Sequence, residues 1–314
     1  MGLDVVVLDT RMGGLEAVTA VYYLPGPHPA IVDTGPANCV DHVLAGLETA
    51  GAGRLEWIVL THIHLDHAGA VGQLAERFPE AQVVVRVEGA PHLVDPSRLW
   101  ASAARLYPDM EERWGRMLPV PEERVAAVGQ DGVVAELGAG RRLEAVYAPG
   151  HANHHMALWE RGSATLFPGD AIGIFLPGAG VFRPAMPPPE FSLELALGSI
   201  ERLRALGAGR MFPTHFGPVP GVQEAFDRGA EEMEQAVATA VPVVEAGGGI
   251  EELAAALRAR RPASSDQSSA ERLDRASSDH LNAAGIHRYL VKRADGPSRP
   301  AAAQVRAEAP VEPG

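Results

Sequence analysis

Three histidines and an aspartate are crowded into one short stretch of the chain. His62, His64, Asp66 and His67 form an H-x-H-x-D-H pattern, called here the histidine motif, directly after the apolar residues 55–60. Those apolar residues predict a buried strand, and burying polar groups without partners costs roughly a few kcal/mol each. Packing alone therefore does not account for the motif. Imidazole nitrogen and carboxylate oxygen are common ligands of zinc and iron, so the motif predicts a metal site.

The spacing within the histidine motif divides it into two pairs. His62 and His64 are two residues apart, so their side chains point to the same side of an extended segment. Asp66 and His67 fall where the next helix is expected to begin, offset from the first pair. The motif therefore predicts ligands for two ions. The alternative is a histidine-rich surface loop without a ligand role, and the buried strand before the motif argues against it.

Other polar side chains follow apolar, strand-like runs further along the chain. Asp33, His151, Asp170 and His215 each come directly after such a run. Polar groups at strand ends converge when the strands share one sheet edge, and α/β folds commonly place their sites there. We therefore expect these residues to join the histidine motif in one site. Asp33 is either a turn or cap residue or an acceptor that orients a metal-binding histidine.

The hydrophobic pattern predicts strands and helices that would hold these residues in place. Strands are predicted over 5–8, 18–24, 30–32, 55–60 and 82–87, then in a second run over 125–128, 133–137, 142–147, 156–159 and 164–167, and finally at 210–212. Helices are predicted over 40–51, 71–78, 193–206, 222–237, 251–260 and 280–293. We expect residues 264–278 to form a polar linker and residues 296–314 a disordered tail.

Two irregular segments fall between the predicted core elements. Residues 89–121 contain helical pieces around 96–107 and 109–117, and residues 173–189 are rich in glycine and proline. Such insertions can roof a pocket, or their aromatic side chains can simply pack onto the sheet. We expect the choice of substrate to depend on how both segments fold over the site.

The composition limits the class of protein and its partners. The chain has 314 residues, of which 46% are hydrophobic, enough for a substantial core. Its net charge of −13 argues against nucleic acid as the main partner, because phosphate binding relies on dense Lys and Arg. Its apolar runs are well short of the roughly 20 residues that a membrane helix needs. We therefore expect a small-molecule substrate and no nucleic-acid or membrane partner.

The expected location and assembly follow from weaker signals. Residues 1–10 contain two aspartates and no basic region, so they do not resemble a secretory signal, and we expect a cytoplasmic protein. Cys39 is the single cysteine, and we expect it to be a small buried side chain without a disulfide. The irregular residues 89–121 and the C-terminal helices are the candidate surfaces for a homodimer.

Taken in order, the motifs resemble those of the metallo-β-lactamase superfamily. The histidine motif, Gly150-His151, Pro168-Gly169-Asp170 and Thr214-His215 carry the resemblance, which covers roughly residues 1–220. It implies an α/β fold, a four-layer αβ/βα sandwich with a helical C-terminal extension. The corresponding organisation is a catalytic domain over 1–220, a helical extension packed on it over 221–295 and a tail over 296–314.

The resemblance also assigns the ligands of a two-metal centre. One ion would be held by His62, His64 and His151. The other would be held by Asp66, His67 and His215. Asp170 would bridge the two ions, which are expected to be two Zn²⁺, with iron or manganese as alternatives.

The chemistry of such a centre is hydrolysis. Two metals that share a water lower its pKa toward about 7 and so present hydroxide at neutral pH. The resemblance therefore implies a hydrolase of a small ester, thioester or lactone, in which Asp66 would also orient the hydroxide. No Ser or Cys nucleophile is required, and the sequence contains no Gly-x-Ser-x-Gly elbow.

Within the superfamily the chain looks most like the glyoxalase II-like branch. That branch typically carries Gly-His-Thr-x-Gly-His, whereas residues 150–155 read Gly-His-Ala-Asn-His-His. His155 keeps its place, but Ala152 and His154 depart from the pattern, which weakens the case for a glutathione thioester. His154 is either a catalytic proton donor that faces the pocket or an exposed turn residue.

Other functions on this framework stay open from the sequence. Iron-dependent persulfide dioxygenases resemble it, and His62, His151 and Asp170 alone would make a two-His, one-carboxylate iron site. Phosphodiester hydrolysis is a lesser option, and a non-catalytic binding protein on the same fold is a third. The second set of ligands is retained in full, which favours two ions and therefore hydrolysis.

Overall fold

The structure is a computed structural model that describes residues 4–107, 109–176, 182–260 and 267–294. Its strands form two large sheets and one short hairpin, and its helices cover the outer faces of the sheets. The predicted tail over 296–314 lies outside the described residues.

The first sheet carries the histidine motif and Asp33. Its strands lie in chain order: β1 (Val6–Asp9), β2 (Ala20–Leu24), β3 (Ala30–Val32), β4 (Trp57–Val59), β5 (Gln82–Arg86) and β6 (Val125–Val128). Strands β1 to β3 pair antiparallel, and β3 to β6 pair parallel. Because β3 and β4 run in the same direction, the residues after both strands emerge at one edge of the sheet.

The sequence grouped residues 125–128 with the second run of strands, which was wrong. In the structure β6 pairs with β5, with Ala126 opposite Val84. A short alternating pattern identifies a strand but does not identify its partner. The long helical segment between β5 and β6 is the kind of crossover that parallel pairing requires.

The second sheet carries the remaining predicted ligands. It contains β7 (Gly132–Gly138), β8 (Arg141–Tyr147), β9 (Met156–Glu160) and β10 (Thr165–Phe167) as an antiparallel meander. The hairpin of β11 (Ile174–Phe175) and β12 (Phe182–Arg183) lies within the segment that was expected to be loop. Strand β13 (Arg210–Met211) then pairs parallel to β10 at the edge of the second sheet.

The inner faces of the two sheets pack on each other. Tyr22, Val32 and Val59 from the first sheet share one buried cluster with Leu158 and Phe167 from the second. Because side chains alternate along a strand, the intervening residues point outward and need a second covering layer. Helices supply that layer on both sides.

The helices of the first half cover the outer face of the first sheet and its site edge. They are α1 (Val40–Thr49), α2 (Leu65–Ala68), α3 (Val71–Arg77), α4 (Ala90–Val94), α5 (Ser97–Leu106) and α6 (Met110–Trp114). Ile31 and Ile58 belong to the outward-facing cluster of this sheet. Val43 of α1 and Leu74 of α3 complete that cluster.

The helices of the second half cover the second sheet. They are α7 (Leu193–Arg204), α8 (Val222–Glu245), α9 (Ile250–Arg260), α10 (Gln267–Ala276) and α11 (Asp279–Ala294). Trp159 of β9 shares a buried cluster with Ile200 of α7 and Phe226 of α8. The resulting order of layers is αβ/βα, which confirms the predicted sandwich with its helical C-terminal region. The boundary at residue 220 stays a prediction.

One helix was missed in the sequence. Residues 264–278 were expected to be a polar linker, but Gln267–Ala276 is helical. Its buried face carries Ser269 and Leu273, so it offers few apolar residues for a sequence pattern to detect. Across the described ranges, no helix combines the length and apolar composition needed to cross a bilayer.

Candidate metal centre

Loops after four strands bring all seven predicted ligands to one edge of the sandwich. The histidine motif follows β4, with Asp66 and His67 on the short helix α2. The loop after β8 carries His151, the turn after β10 carries Asp170, and the loop after β13 carries His215. Within the described residues, three overlapping groups of ligand atoms lie within 4.8 Å of one another: His62, His64 and His151; His62, His67 and Asp170; and Asp66, His67 and His215.

The first set of ligands contains imidazole nitrogens only. The Nδ1 atom of His64 lies 2.9 Å from Nε2 of His62 and 2.9 Å from Nε2 of His151. His62 and His151 are buried, and His64 is half-buried at the floor of a cavity. Three ring nitrogens therefore face one small volume.

The second set mixes nitrogen and oxygen. The Oδ2 atom of Asp66 lies 3.5 Å from Nε2 of His215 and 3.9 Å from Nε2 of His67. Both imidazoles are fully enclosed, whereas the side chain of Asp66 keeps 16% of its surface exposed. This carboxylate is therefore the member of the set that reaches the open side of the site.

Asp170 lies between the two sets. Its Oδ1 atom is 3.3 Å from Nε2 of His67 and 3.6 Å from Nε2 of His215. Its Oδ2 atom is 3.6 Å from Nε2 of His151. One carboxylate oxygen therefore faces each set, which is the arrangement expected of a bridging ligand.

Three atoms at the centre lack hydrogen-bond partners within the described part of the chain. They are Nε2 of His67, Nε2 of His215 and Oδ1 of Asp170, and all three are buried. A buried polar atom without a partner costs about 1–3 kcal/mol, so three of them in contact require an explanation. Cations placed among them would satisfy all three. The nitrogen and oxygen donors present fit two divalent ions such as Zn²⁺.

Hydrogen bonds on the far side of the rings fix their orientation. His67 donates from Nδ1 to Oδ2 of Asp33 at 3.0 Å. His151 donates from Nδ1 to the Ala185 carbonyl at 2.9 Å, and His215 donates from Nδ1 to the Val18 carbonyl at 3.1 Å. An imidazole that donates outward in this way leaves the lone pair of Nε2 facing the site, as metal-binding histidines do.

Asp33 is the acceptor that links the two sheets behind the ligands. It is fully buried and also accepts from the backbone N–H of Thr61 at 2.7 Å and from the hydroxyl of Thr214 at 2.7 Å. Its φ of 58° lies in the left-handed region, which aspartate tolerates better than most residues. Of the two readings of Asp33, the orienting acceptor is the one that the structure supports.

Sequence reasoning missed the two threonines. Thr61 and Thr214 each stand directly before a predicted ligand, His62 or His215, and both hold Asp33. A hydroxyl residue directly before a histidine at the end of two different strands was the available signal.

His155 positions Asp170 through the backbone. Its Nε2 accepts a hydrogen bond from the N–H of Asp170 at 3.1 Å. Gly169 makes this contact feasible, because its φ is 54° and a Cβ there would lie 2.6 Å from Nε2 of His155. This residue supports the bridging carboxylate rather than contributing another ligand.

The electrostatics of the site separate neutral from charged histidines. Burial, with neighbouring imidazoles, lowers the pKa of His62 and His64 well below the ordinary value, which keeps them in the metal-binding form. Burial also opposes the charged form of His67, but Asp170 and Asp66 outweigh it and raise its pKa well above the ordinary value. The carboxylates of Asp66 and Asp170 therefore favour a positive charge between them.

His154 lies on the wall of the cavity rather than on an exposed turn. Its side chain is 13% exposed, and its Nδ1 accepts from the N–H of Ile63 at 3.5 Å. Its proton is then on Nε2, 3.9 Å from Oε2 of Glu190. Burial lowers the pKa of His154 to about 3, so it is neutral at physiological pH and donates a hydrogen bond as an uncharged group.

A cavity of about 250 Å³ opens directly over the ligands. Both irregular segments line it, which is the first of the two alternatives that the sequence left open, and α10 and α11 line it as well. Apolar and aromatic side chains supply much of the wall, including Leu65, Leu99, Ala103, Tyr107, Trp114, Ile174 and Leu281. Access to the ligands therefore passes between helices that lie outside both sheets.

The α10–α11 pair is attached to the segment that orients His151. Arg183 is buried and donates to Oδ1 of Asp274 and to the Ser277 carbonyl, both at 2.7 Å. Asn282 accepts from the N–H of Met186 at 2.8 Å. Because the preceding residue supplies the carbonyl that holds His151, these contacts connect the C-terminal helices to a predicted ligand.

Comparison with known proteins identifies relatives across the ligand-bearing part of the chain. The family model described as "Metallo-beta-lactamase superfamily" matches residues 13–215. The metallo-beta-lactamase fold-containing protein ST1585 of Sulfurisphaera tokodaii is 28% identical over 176 residues, 54% of this chain and 62% of that protein. A hydroxyacylglutathione hydrolase of Synechococcus is 30% identical over 186 residues, 59% of this chain and 58% of that protein. The chain thus spans less than two thirds of the length of these relatives.

Another relative, matched over a shorter part of the chain, is named as a thioesterase. The acyl-coenzyme A thioesterase MBLAC2 of Bos taurus is 29% identical over 118 residues, which are 36% of this chain and 40% of that protein. Its match and that of the Synechococcus hydrolase are both partial. Neither says what this chain acts on.

Solved structures extend the likeness of fold beyond the family match. The archaeal metallo-beta-lactamase superfamily protein ST1585 from Sulfolobus tokodaii has a TM-score of 0.68 at 23% identity, covering 91% of this chain and 98% of that chain. The metallo-beta-lactamase family protein TTHA1429 from Thermus thermophilus has a TM-score of 0.68 at 22% identity, covering 93% and 94%. The family match covers more than half of the sequence and includes every predicted ligand, so this chain belongs to the metallo-beta-lactamase superfamily.

Proposed function

We propose that this protein is a two-metal hydrolase of a small ester, thioester or lactone. The observation that carries the proposal is the convergence of seven side chains with metal-binding atoms, three of which have a buried atom without a hydrogen-bond partner in the described part of the chain. The names of its relatives support the reaction type, since they include a hydroxyacylglutathione hydrolase and an acyl-coenzyme A thioesterase.

The residues would divide two ions between them. His62, His64 and His151 would hold the first ion, Asp66, His67 and His215 the second, and Asp170 would contribute one oxygen to each. When bound, such ions act as Lewis acids that polarise an acyl oxygen and make water a nucleophile at neutral pH. The mixed nitrogen and oxygen donors suit zinc, and they also accept iron or manganese.

Asp66 is the proposed catalytic acceptor. Burial works against its carboxylate form, but His67 and His215 outweigh burial and hold its pKa below the usual range. It is therefore anionic at neutral pH and lines the cavity at the same time. A carboxylate in that place can accept a hydrogen bond from the attacking water and so orient it toward the substrate.

His154 is the proposed donor to the substrate. Its neutral ring carries a proton on Nε2 at the cavity wall, close to His64, whose ring centre is 5.3 Å away. An N–H in that position can donate to the acyl oxygen or to the leaving group. With a pKa of about 3 it does not act as a charged acid at neutral pH, so its contribution is hydrogen bonding.

A single-iron persulfide dioxygenase fits the site less well. An iron held by His62, His151 and Asp170 would leave Nε2 of His67 and Nε2 of His215 buried without partners. Such a cost is not expected where two complete sets of ligands are present. Hydrolysis with two ions is therefore the function that the geometry supports best.

Metal analysis of the protein purified without added metal, followed by assays on thioesters and lactones, tests the proposal. We expect about two zinc ions per chain, hydrolysis of at least one ester class and loss of that hydrolysis on chelation. One iron per chain together with oxygen uptake in the presence of a persulfide would overturn it.

A further inference from the structure

We propose that the substrate carries an anionic group, a carboxylate or a phosphate, and that Arg98 and Arg275 bind it at the cavity wall. This inference rests on the proposed hydrolase function, and it names the class of ester that the cavity takes. It is carried by the distribution of charge around the cavity, where every acidic side chain has a partner and two guanidinium groups make no hydrogen bond or ion pair among the described residues.

The acidic side chains of the cavity wall are all engaged. Asp66 and Asp170 belong to the metal ligands. Glu190 accepts from the N–H of Asn153 at 2.8 Å and from its side-chain amide at 3.0 Å. Asp274 accepts from Arg183 at 2.7 Å. Each of these carboxylates therefore already has a partner of its own.

The cationic side chains are not all engaged. Arg113 pairs with Asp109 at 3.5 Å and packs beside two aromatic rings. Arg98 and Arg275, by contrast, make no hydrogen bond or ion pair within the described ranges, although both line the cavity. In a chain with a net charge of −13, acidic partners are plentiful, so two unpaired arginines at one cavity are informative.

Local stability does not explain Arg98. It lies in the first turn of α5, where a positive charge is unfavourable beside the helix dipole. The acid nearest in sequence, Asp95, accepts from the N–H of Ser97 at 3.0 Å, and Arg98 acts on its charge from a distance without forming an ion pair. An anion at the cavity would interact favourably with both Arg98 and this end of the helix.

The guanidinium group of Arg275 lies directly beside Gly13. Arg275 is half-buried, and a Cβ on Gly13 would lie 2.8 Å from its Nε. Gly13 itself has a φ of 65°. The connection between β1 and β2 therefore leaves room for the guanidinium beside the cavity, whereas an arginine that served only the end of α10 would extend into solvent.

The two arginines come from separate elements of the cavity wall, α5 and α10, and the same wall includes Leu99, Ala103 and Leu281. A guanidinium binds carboxylate and phosphate groups through two parallel hydrogen bonds, and the apolar side chains favour a short hydrocarbon part. The substrate class is therefore a small acidic ester or thioester.

Four thioesters test this inference on the zinc-loaded protein. S-pentanoyl-N-acetylcysteamine is neutral, S-pentanoyl-3-mercaptopropionate carries a carboxylate on the thiol side, S-(4-carboxybutanoyl)-N-acetylcysteamine carries it on the acyl side, and S-pentanoyl-phosphopantetheine carries a phosphate. We expect the KM of at least one anionic thioester to be about tenfold lower than that of the neutral one, since a charged hydrogen bond contributes about that much. The anionic thioester with the lowest KM shows whether the site binds a carboxylate on the thiol side, a carboxylate on the acyl side or a phosphate.

Arg98→Gln and Arg275→Gln should each reduce this preference for the anionic thioester about tenfold, through KM rather than kcat. Arg105→Gln is the matched control, because Arg105 is exposed on the same helix, as Arg98 is, but does not line the cavity. It should retain the full preference. Equal KM values for neutral and anionic thioesters in the unaltered protein, or an unchanged preference in both cavity variants, would overturn the inference.

A binding measurement separates this inference from the proposed function. Thioether analogues of the three anionic thioesters, of which S-pentyl-3-mercaptopropionate is one, cannot be hydrolysed, so calorimetry reports their binding without turnover. Binding that weakens about tenfold in both cavity variants and not in Arg105→Gln supports an anion site even if no thioester is hydrolysed. Equal binding by the unaltered protein and all three variants contradicts it even if hydrolysis is found.

Discussion

At the scale of single residues, Asp33 supports both sides of the metal centre. It accepts hydrogen bonds from Thr61, Thr214 and His67, which belong to loops of different sheets. Asp33→Asn keeps the size but places an amide N–H₂ among donors. We expect the unfolding free energy to fall by about 3 kcal/mol and the affinity for the ion at His67 to fall about 10- to 100-fold.

Denaturant titration and metal titration would measure the two effects of Asp33→Asn. Asp131→Asn is the control, because Asp131 pairs with Arg202 at the surface, 2.8 Å away, far from the ligands. Surface pairs of this kind contribute little to stability. Equal effects of both substitutions would show that Asp33 has no special role in orienting the ligands.

His67→Ala tests the second ion directly. We expect this variant to retain one ion per chain and to lose hydrolysis about a thousandfold, because several kcal/mol of transition-state stabilisation depend on the second ion. Metal content and kcat are the measurements. Unchanged turnover with one ion bound would mean that the set containing Asp66 and His215 is not needed for the reaction.

The convergence of the proposed ligands could be predicted from sequence because their chemistry is visible one residue at a time. His62, His151 and His215 are polar residues at the ends of apolar runs, and only a common site explains them together. The residues that hold them could not be found in this way. Thr61 and Ala185 act through hydrogen bonds that depend on three-dimensional packing, and the carbonyl of Ala185 is a backbone group that any residue type would supply.

At the scale of elements, the α10–α11 pair is part of the site. Asn282 accepts from the N–H of Met186, next to the carbonyl that orients His151. Asn282→Ala removes this acceptor, so we expect the unfolding free energy to fall by about 1–3 kcal/mol. The affinity for the ion held by His151 should fall as well, while the ion at His67 is retained.

Competition of each variant with a metal-binding dye would resolve the two affinities. Thr239→Ala is the control, because Thr239 hydrogen-bonds to the Gln235 carbonyl at 2.8 Å on an exposed turn of α8. If Asn282→Ala lowers stability but leaves both ion affinities unchanged, its contact holds the helices together without positioning His151.

The elements with a broad apolar face could be predicted, whereas a helix with little apolar surface and the partner of a short strand could not. The helix around Val43 and Leu47 buries one clear face, so its pattern was sufficient. Helix α10 buries Leu273 against neighbours that are distant in sequence, and strand β6 joined the first sheet because of the crossover before it. Both depend on tertiary contacts rather than on local pattern.

At the scale of the whole molecule, bound ions should stabilise the fold. The ligands extend from the loop after β4 in one sheet to the loop after β13 in the other, so ions that bind them connect the two halves. An ion at about 100 times its dissociation constant adds about 2.7 kcal/mol. We expect zinc to raise the Tm and chelation to lower it, as measured by calorimetry. A Tm independent of zinc would contradict a centre built from these ligands.

The metal-free protein should lose stability on acidification. The folded state lowers the pKa of His62, His64 and His155 through burial, so these rings stay neutral while the unfolded chain takes up protons below about pH 6.5. Their contribution is present above that pH and is lost below it, by up to about 1.4 kcal/mol per ring per pH unit.

The contribution of His67 to stability changes with pH in the opposite direction, but it does not cancel the loss from the three neutral histidines. Its raised pKa gives a contribution that is complete below about pH 6.5 and is lost only as the pH rises through the folded value. Denaturant titrations of the metal-free protein at about pH 7.5 and about pH 5.5 should therefore show a decrease of at least about 2 kcal/mol. Equal stability at both pH values would mean that these histidines are already charged in the fold.

The cavity walls have a consequence for how such a protein diversifies. The ion ligands stand on loops of the sandwich, whereas Leu99, Arg98, Arg275 and Leu281 stand on peripheral helices that carry no ligand. Substitutions in those helices can alter which compounds are accepted while the proposed metal ligands stay intact. Proteins that descend from one ancestor can therefore come to accept different substrates through substitutions in these peripheral helices alone.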